Sequence, residues 1–185
     1  LFRSPILGPA PELDNCFVAA GFNAFGIAAG GGAGKMMAEW ILEGEPSLDM
    51  WPMDIRRFGP YHRSRRYNVE RTRESYGKHY TVHWPGEEPF SARGIRRSPL
   101  YDLLKEKGAV YGAKYGWERA NWFAPEGIKA KDELSFDYPG WFKHVGEEHR
   151  AARENVVLID QSSFCKYEIS GPEALTFLNY ISANN

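Results

Sequence analysis

The stretch GFNAFGIAAGGGAGKMMAEWILEG, Gly21 to Gly44, constrains this chain more than any other, because it loads glycine into a segment that otherwise reads as a helix. Asn15 to Ala20 (NCFVAA) is a short apolar run of strand length, and Gly21 ends it. Asn23 stands where the helix N-cap is expected, and Gly44 where a glycine stops the helix. A glycine inside a helix costs about 0.8–1 kcal/mol relative to alanine, so Gly26, Gly30, Gly31, Gly32 and Gly34 need a compensating reason. Gly26, Gly30, Gly34 and Ala38 share a helical face and form a stripe without bulk, onto which a strand, a second helix or a flat ligand can come close. Met37, Trp40 and Ile41 on the other face are expected core.

The free N–H groups and positive dipole end around Ala24 to Ile27 suit a negative or electron-rich group. Two phosphate motifs fail here. A P-loop needs glycine five residues before Gly34 and Ser or Thr after Lys35, where the chain has Ala29 and Met36. A dinucleotide GxGxxG needs its last glycine where Lys35 or Met37 stands. The residues alone leave two readings open, a ligand-facing helix start and close structural packing.

GFNAFGIAAGGGAGK, followed by AEWILEGEPSLDMWPMDIRRFG, resembles the closing segment of the flavin domain in the dimethylglycine and sarcosine dehydrogenase family of FAD-dependent amine oxidoreductases. The resemblance continues through RESYGKHY, SPLYDLLKEKGAVYGAKYGWERANWF and VVLIDQSSFCKYEISGPEAL, so it covers nearly the whole chain. It implies that Asn23, Ala24, Phe25, Gly26, Ile27 and Ala28 lie against the isoalloxazine of FAD. It also implies an N-methyl amino acid as substrate and tetrahydrofolate as one-carbon acceptor. On this resemblance the chain is an internal piece of a longer protein, and the catalytic residues lie outside it. The expected fold is α+β in three parts: residues 1–59 close the FAD-binding domain, 60–124 form a connector, and 125–185 open an aminomethyltransferase-like folate domain. The same architecture occurs in the regulatory subunit of pyruvate dehydrogenase phosphatase, which is the non-enzymatic alternative.

An apolar content of 43% over 185 residues is enough for a core. With 23 basic against 24 acidic residues, no overall charge draws the chain to nucleic acid or membrane. No apolar run reaches the roughly 18 residues of a membrane span. Leu1 is not an initiating methionine and no signal peptide follows it, so a truncated N-terminus is expected. Cys16 and Cys165 read as buried free thiols in a reducing compartment, cytoplasm or mitochondrial matrix.

Along the chain, Leu1 to Asn15 is proline-rich and expected to lack regular structure, and SLDMWPMDIRRFG is expected to be an extended tail. The arginine-dense run Arg56 to Arg73 reads as a solvated or interdomain face, since acids interleave it. HYTVHW alternates like a strand, and neither His79 with His83 nor His144 with His149 has the third ligand of a zinc set. Ser98 is the expected cap of a helix LYDLLKEK that buries Leu100, Leu103 and Leu104 and stops at Gly108. AVYGAKYGWERANWF reads as a strand, a turn and an aromatic cluster, with a surface pair Glu118–Arg119. PEGIKAKDEL is a linker and GEEHRAARENV a short helix. Val156 to Ile159 is expected as a buried strand and KYEIS as an alternating one, and Ser170 with Glu173 as a capping box for ALTFLNYI. Ser162, Ser163 and Cys165 lack the partners of a nucleophile.

Overall fold

A computed structural model describes residues 4–184. The chain is α+β, with strands β1 (Ile6–Pro9) and β2 (Phe17–Ala20), helices α1 (Gly26–Glu43), α2 (Arg65–Gly77) and α3 (Tyr101–Glu106), strands β3 (Ala109–Lys114) and β4 (Trp117–Phe123), and helices α4 (Phe142–Glu154) and α5 (Ala174–Ile181). β1 pairs antiparallel with β2 from Ile6–Ala20 to Pro9–Phe17, which corrects the expectation that the proline-rich start lacks regular structure. Pro9 is the last residue of its strand, a position where the missing N–H costs little. Leu1 to Arg3 of that expected loop lie outside the described residues.

The first core forms where Leu7, Met37 and Trp40 meet, with Phe17, Phe22, Ala33, Met50 and Met53 packed around them. Gly8 has φ of 111°, and a Cβ there would stand 3.0 Å from the Trp40 ring, so this backbone conformation and this indole require each other. Met37 and Trp40 are core as their spacing implied, whereas Ile41 is 55% exposed. The segment after α1 is not a loose tail. Leu7 N–H donates to Met53 C=O at 2.8 Å, Leu7 bridges Asp54 in parallel fashion, and a 3-10 turn follows at Ile55–Arg57. In the Arg56–Arg73 run, Arg56, Arg63, Arg65, Arg66 and Arg73 are exposed, in keeping with the expected solvated or interdomain face, but Arg57 and Arg71 depart from it at 6% exposed each. Arg57 crosses to the Pro5 carbonyl at 2.9 Å, which ties this turn to the foot of β1.

The second core is built on the β3–β4 hairpin, where Val110, Trp122 and Ala124 pack against Trp141 and Val145 at the start of α4. Trp122 donates its indole N–H to Asp132 at 2.8 Å and stacks on His144, so it packs as the aromatic cluster suggested. Glu118 does not pair with Arg119. It is 6% exposed and receives Arg93 through Nε at 3.0 Å and through Nη2, together with the Gly94 N–H at 2.6 Å. Arg96 then exchanges backbone hydrogen bonds with β4, donating to Gly116 and accepting from Glu118. Residues 93–96 are thus bound edge-on to the hairpin.

Other local expectations shift for physical reasons. HYTVHW forms no strand, because α2 runs on to Gly77 and the chain then turns. Ser98 caps no helix; its hydroxyl donates to Asp160 at 2.5 Å and accepts from Leu100 N–H, while α3 begins at Tyr101 with Leu100 and Leu103 exposed. Val156 to Ile159 and KYEIS form no strands, and Val156 and Leu158 are almost fully exposed. Strands need a partner edge, and none stands beside these segments among the described residues. α5 forms over ALTFLNYI, with Glu173 at its N-cap and no side-chain cap bond. Both cysteines are free, Cys16 half-buried and Cys165 exposed rather than buried.

Candidate functional site

Residues 23–28 form the mouth of α1. Asn23 and Ala24 both take left-handed backbone conformations, φ 44° and 72°, and so delay the helix. The N-cap is therefore Phe25, not Asn23, and it makes no side-chain cap bond. Its own N–H closes a turn onto Phe22 C=O at 3.0 Å. The helix begins with N–H groups that no cap serves, and Gly44 ends it with φ of 87°. Phe25 is 48% exposed and Ile27 fully so, while a Cβ at Gly30, Gly31, Gly32 or Gly34 would meet nothing within 4 Å. The bare face of α1 is thus open within this chain, and a flat group or a neighbouring element has access along it. An uncapped N-terminus, an exposed first turn and a face without Cβ atoms are what a flavin ring or a close structural neighbour needs.

Beside this mouth lies a cleft of about 850 Å³. Gly21 and Asn23 line one side, Ile55 to Arg63 another, and one face of α2 (Asn68, Thr72, Ser75, Tyr76) with His79 beyond its end the third. His79 joins the cleft to the helix mouth, with its ring 5.0 Å from Phe25 and stacked near Tyr76. The spacing from Asn68 to Ser75 is helical and could have been read from the sequence; assigning His79 to a strand hid it.

Charge in the cleft is partly committed. Asp54, 2% exposed, accepts the Arg56 N–H at 2.7 Å and its guanidinium in a bidentate pair, which holds the carboxyl below its ordinary value although burial alone would raise it. Arg56 also lies over the Trp40 ring, so it serves the first core. Burial, aided by the charge of Arg57, holds His62 below its ordinary value against the contact of its Nδ1 with the Gly59 carbonyl, which acts the other way. Arg63 lines the cleft and has no hydrogen bond or ion pair among the described residues. Among those residues, no group of three or more His, Cys, Asp or Glu is gathered for a metal, and no helix is long and apolar enough to cross a membrane.

Two family models match in tandem. Residues 43–98 match the FAD dependent oxidoreductase central domain, and residues 100–185 the GCVT N-terminal domain. The chain is 45% identical over 169 residues to 4-methylaminobutanoate oxidase (formaldehyde-forming) of Paenarthrobacter nicotinovorans, a match covering 91% of this chain and 20% of that protein. It is 37% identical over 181 residues to the mitochondrial dimethylglycine dehydrogenase of Rattus norvegicus, covering 97% of this chain and 21% of the relative. It is also 38% identical over 185 residues to the mitochondrial pyruvate dehydrogenase phosphatase regulatory subunit of Mus musculus, again 97% of this chain and 21% of the relative. The chain spans about a fifth of the length of these relatives.

Proposed function

We propose a function from one premise: this chain belongs to the FAD-dependent amine oxidoreductase family of dimethylglycine and sarcosine dehydrogenases, at the junction of its central oxidoreductase domain with its aminomethyltransferase-like domain. The whole protein is an enzyme that oxidises the C–N bond of an N-methylated amino acid, with tetrahydrofolate as one-carbon acceptor in the rear domain. The tandem order of the two domain matches, abutting at residues 98 and 100, carries this reading.

FAD supplies the hydride acceptor for the C–H bond beside the amine nitrogen. Asn23, Ala24, Phe25, Gly26, Ile27 and Ala28 are the residues that would hold its ring, and the exposed, uncapped turn they form fits that role. N–H groups at a helix start are already oriented and need no reorganisation to meet negative charge developing on a bound ring. The side-chain-free face from Gly30 to Gly34 lets the helix approach its neighbour closely. The oxidised substrate is an iminium, which tetrahydrofolate captures as 5,10-methylenetetrahydrofolate or water hydrolyses to formaldehyde. The second outcome is favoured by one relative, the formaldehyde-forming 4-methylaminobutanoate oxidase.

The division into residues 1–59, 60–124 and 125–185 belongs to this proposal. Its support is that the Arg93–Glu118 pair and the Arg96 backbone pairing bind residues on both sides of position 99 into one hydrogen-bonded unit. A mitochondrial matrix or cytoplasmic location is likewise proposed, in keeping with relatives named mitochondrial.

The test is to purify the full-length protein, record its visible spectrum, and assay dimethylglycine, sarcosine and 4-methylaminobutanoate with an artificial electron acceptor. Flavin absorbance and turnover of one of these amines support the enzyme. A colourless, inert protein would overturn it and favour the regulatory reading, for which the 38% identity to the phosphatase regulatory subunit speaks. Formaldehyde measured with and without tetrahydrofolate then separates the two fates of the carbon.

A further inference from the structure

The cleft beside α1 is built unequally. On the α2 side the hydroxyls of Thr72 and Ser75 share a helical face and offer hydrogen bonds, while Ile6, Ile55 and Phe58 give apolar walls. Of the charged side chains, Arg56 is held by Asp54, and Glu12 lies on the turn between β1 and β2. That leaves Arg63 as the cation with no partner among the described residues, at the edge of a cavity sized for a small ligand. His79, touching Phe25 at 5.0 Å, links the cleft to the first turn of α1.

We propose that the cleft takes the carboxylate end of the amino-acid substrate, and that Arg63 is the specificity-determining residue that selects acids over uncharged amines. A guanidinium presents paired donors to a carboxylate, and apolar walls suit the methylene spacer behind it. With its anionic end at Arg63, a ligand extends toward the mouth of α1, where its C–N bond would meet the redox group. The inference rests on the functional reading above and deepens it. The cleft has room for acids longer than a glycine derivative.

The experiment uses the full-length flavin-loaded protein and acetate as a non-reactive probe. Acetate binding is followed by the visible flavin band and, independently of the flavin signal, by the line width of ¹³C-acetate. Wild type is compared with Arg63→Gln, Arg63→Lys and Arg65→Gln, the last an exposed arginine two residues on, at the first position of α2, that does not line the cleft. The expected result is that Arg63→Gln weakens acetate at least tenfold and lowers the preference for sarcosine over its amide by a similar factor. Arg63→Lys recovers part of both, and Arg65→Gln moves neither. Unchanged acetate affinity and unchanged acid preference in Arg63→Gln overturn the proposal. So does loss of flavin from that variant on gel filtration, which would assign Arg63 to the cofactor's phosphates or to the fold. A wild-type protein that holds no flavin is a different failure, that of the functional reading itself.

Discussion

Glu118 is where a single side chain decides most. Its carboxylate is buried in the β3–β4 hairpin, and the desolvation this imposes would raise its pKa, but the Arg93 guanidinium and the Gly94 N–H outweigh that and hold it below its ordinary value. Removing one member of a buried pair leaves an uncompensated charge, so Glu118→Ala should cost about 3–5 kcal/mol in a denaturant titration, and Arg119→Ala, the neighbour in sequence, under about 1 kcal/mol. The pH dependence follows from the same residue. A carboxylate whose folded pKa is depressed binds fewer protons than the unfolded chain does, so its contribution is complete above the ordinary value of 4.5 and disappears as pH falls through the folded value. Glu74 is depressed too, by Ser91 and Phe90 against its own burial, and adds to the same loss. Stability measured from pH 6 down to pH 3 should therefore fall, and the fall should shrink in Glu118→Gln; an identical profile in the variant would contradict this assignment. None of it was legible in the sequence, because the partner lies 25 residues away and no local rule links them.

At the scale of elements, α1 sets two requirements against each other. Its glycines at 30, 31, 32 and 34 meet no atom in this chain, so on helix propensity alone each change to alanine should raise helix stability by about 0.8–1 kcal/mol. In the 185-residue chain, Gly30→Ala with Gly34→Ala should increase the helical circular-dichroism signal. In the full-length protein the same pair should lower flavin retention or thermal stability, because a surface packed on a bare face has no room for added methyls. Stabilisation in both settings would mean that nothing comes close to this face. The glycine that stops α1 could be read from sequence because a left-handed C-terminal residue is a local demand. The helix start could not: tandem left-handed residues at 23 and 24 displaced the cap from Asn23 to Phe25. Val156 to Ile159 failed for a different reason. Its side chains prefer a pleated surface, but a strand exists only with a second edge to bond, and the described residues give it none.

For the whole molecule, the exposed area is the telling quantity. The accessible surface is 14041 Å², whereas a compact protein of 21.0 kDa exposes about 9,000 Å². Much of the excess is apolar: Ile27 and Leu42 on α1, Val156 and Leu158, and Leu175 and Tyr180 on α5 are all more than two-thirds exposed. Surface of this kind marks interfaces. The 185-residue chain by itself should bind a hydrophobic dye and associate as its concentration rises, and dialysis against FAD should leave it without tight flavin; submicromolar retention would contradict the view that the nucleotide-binding half lies elsewhere.

The most direct measurement is an experimental structure of the full-length protein with its bound cofactor. The account predicts that the isoalloxazine ring lies in van der Waals contact, within about 4 Å, of the turn formed by residues 23–28. A ring well resolved elsewhere, with that turn packed only against protein, would contradict it.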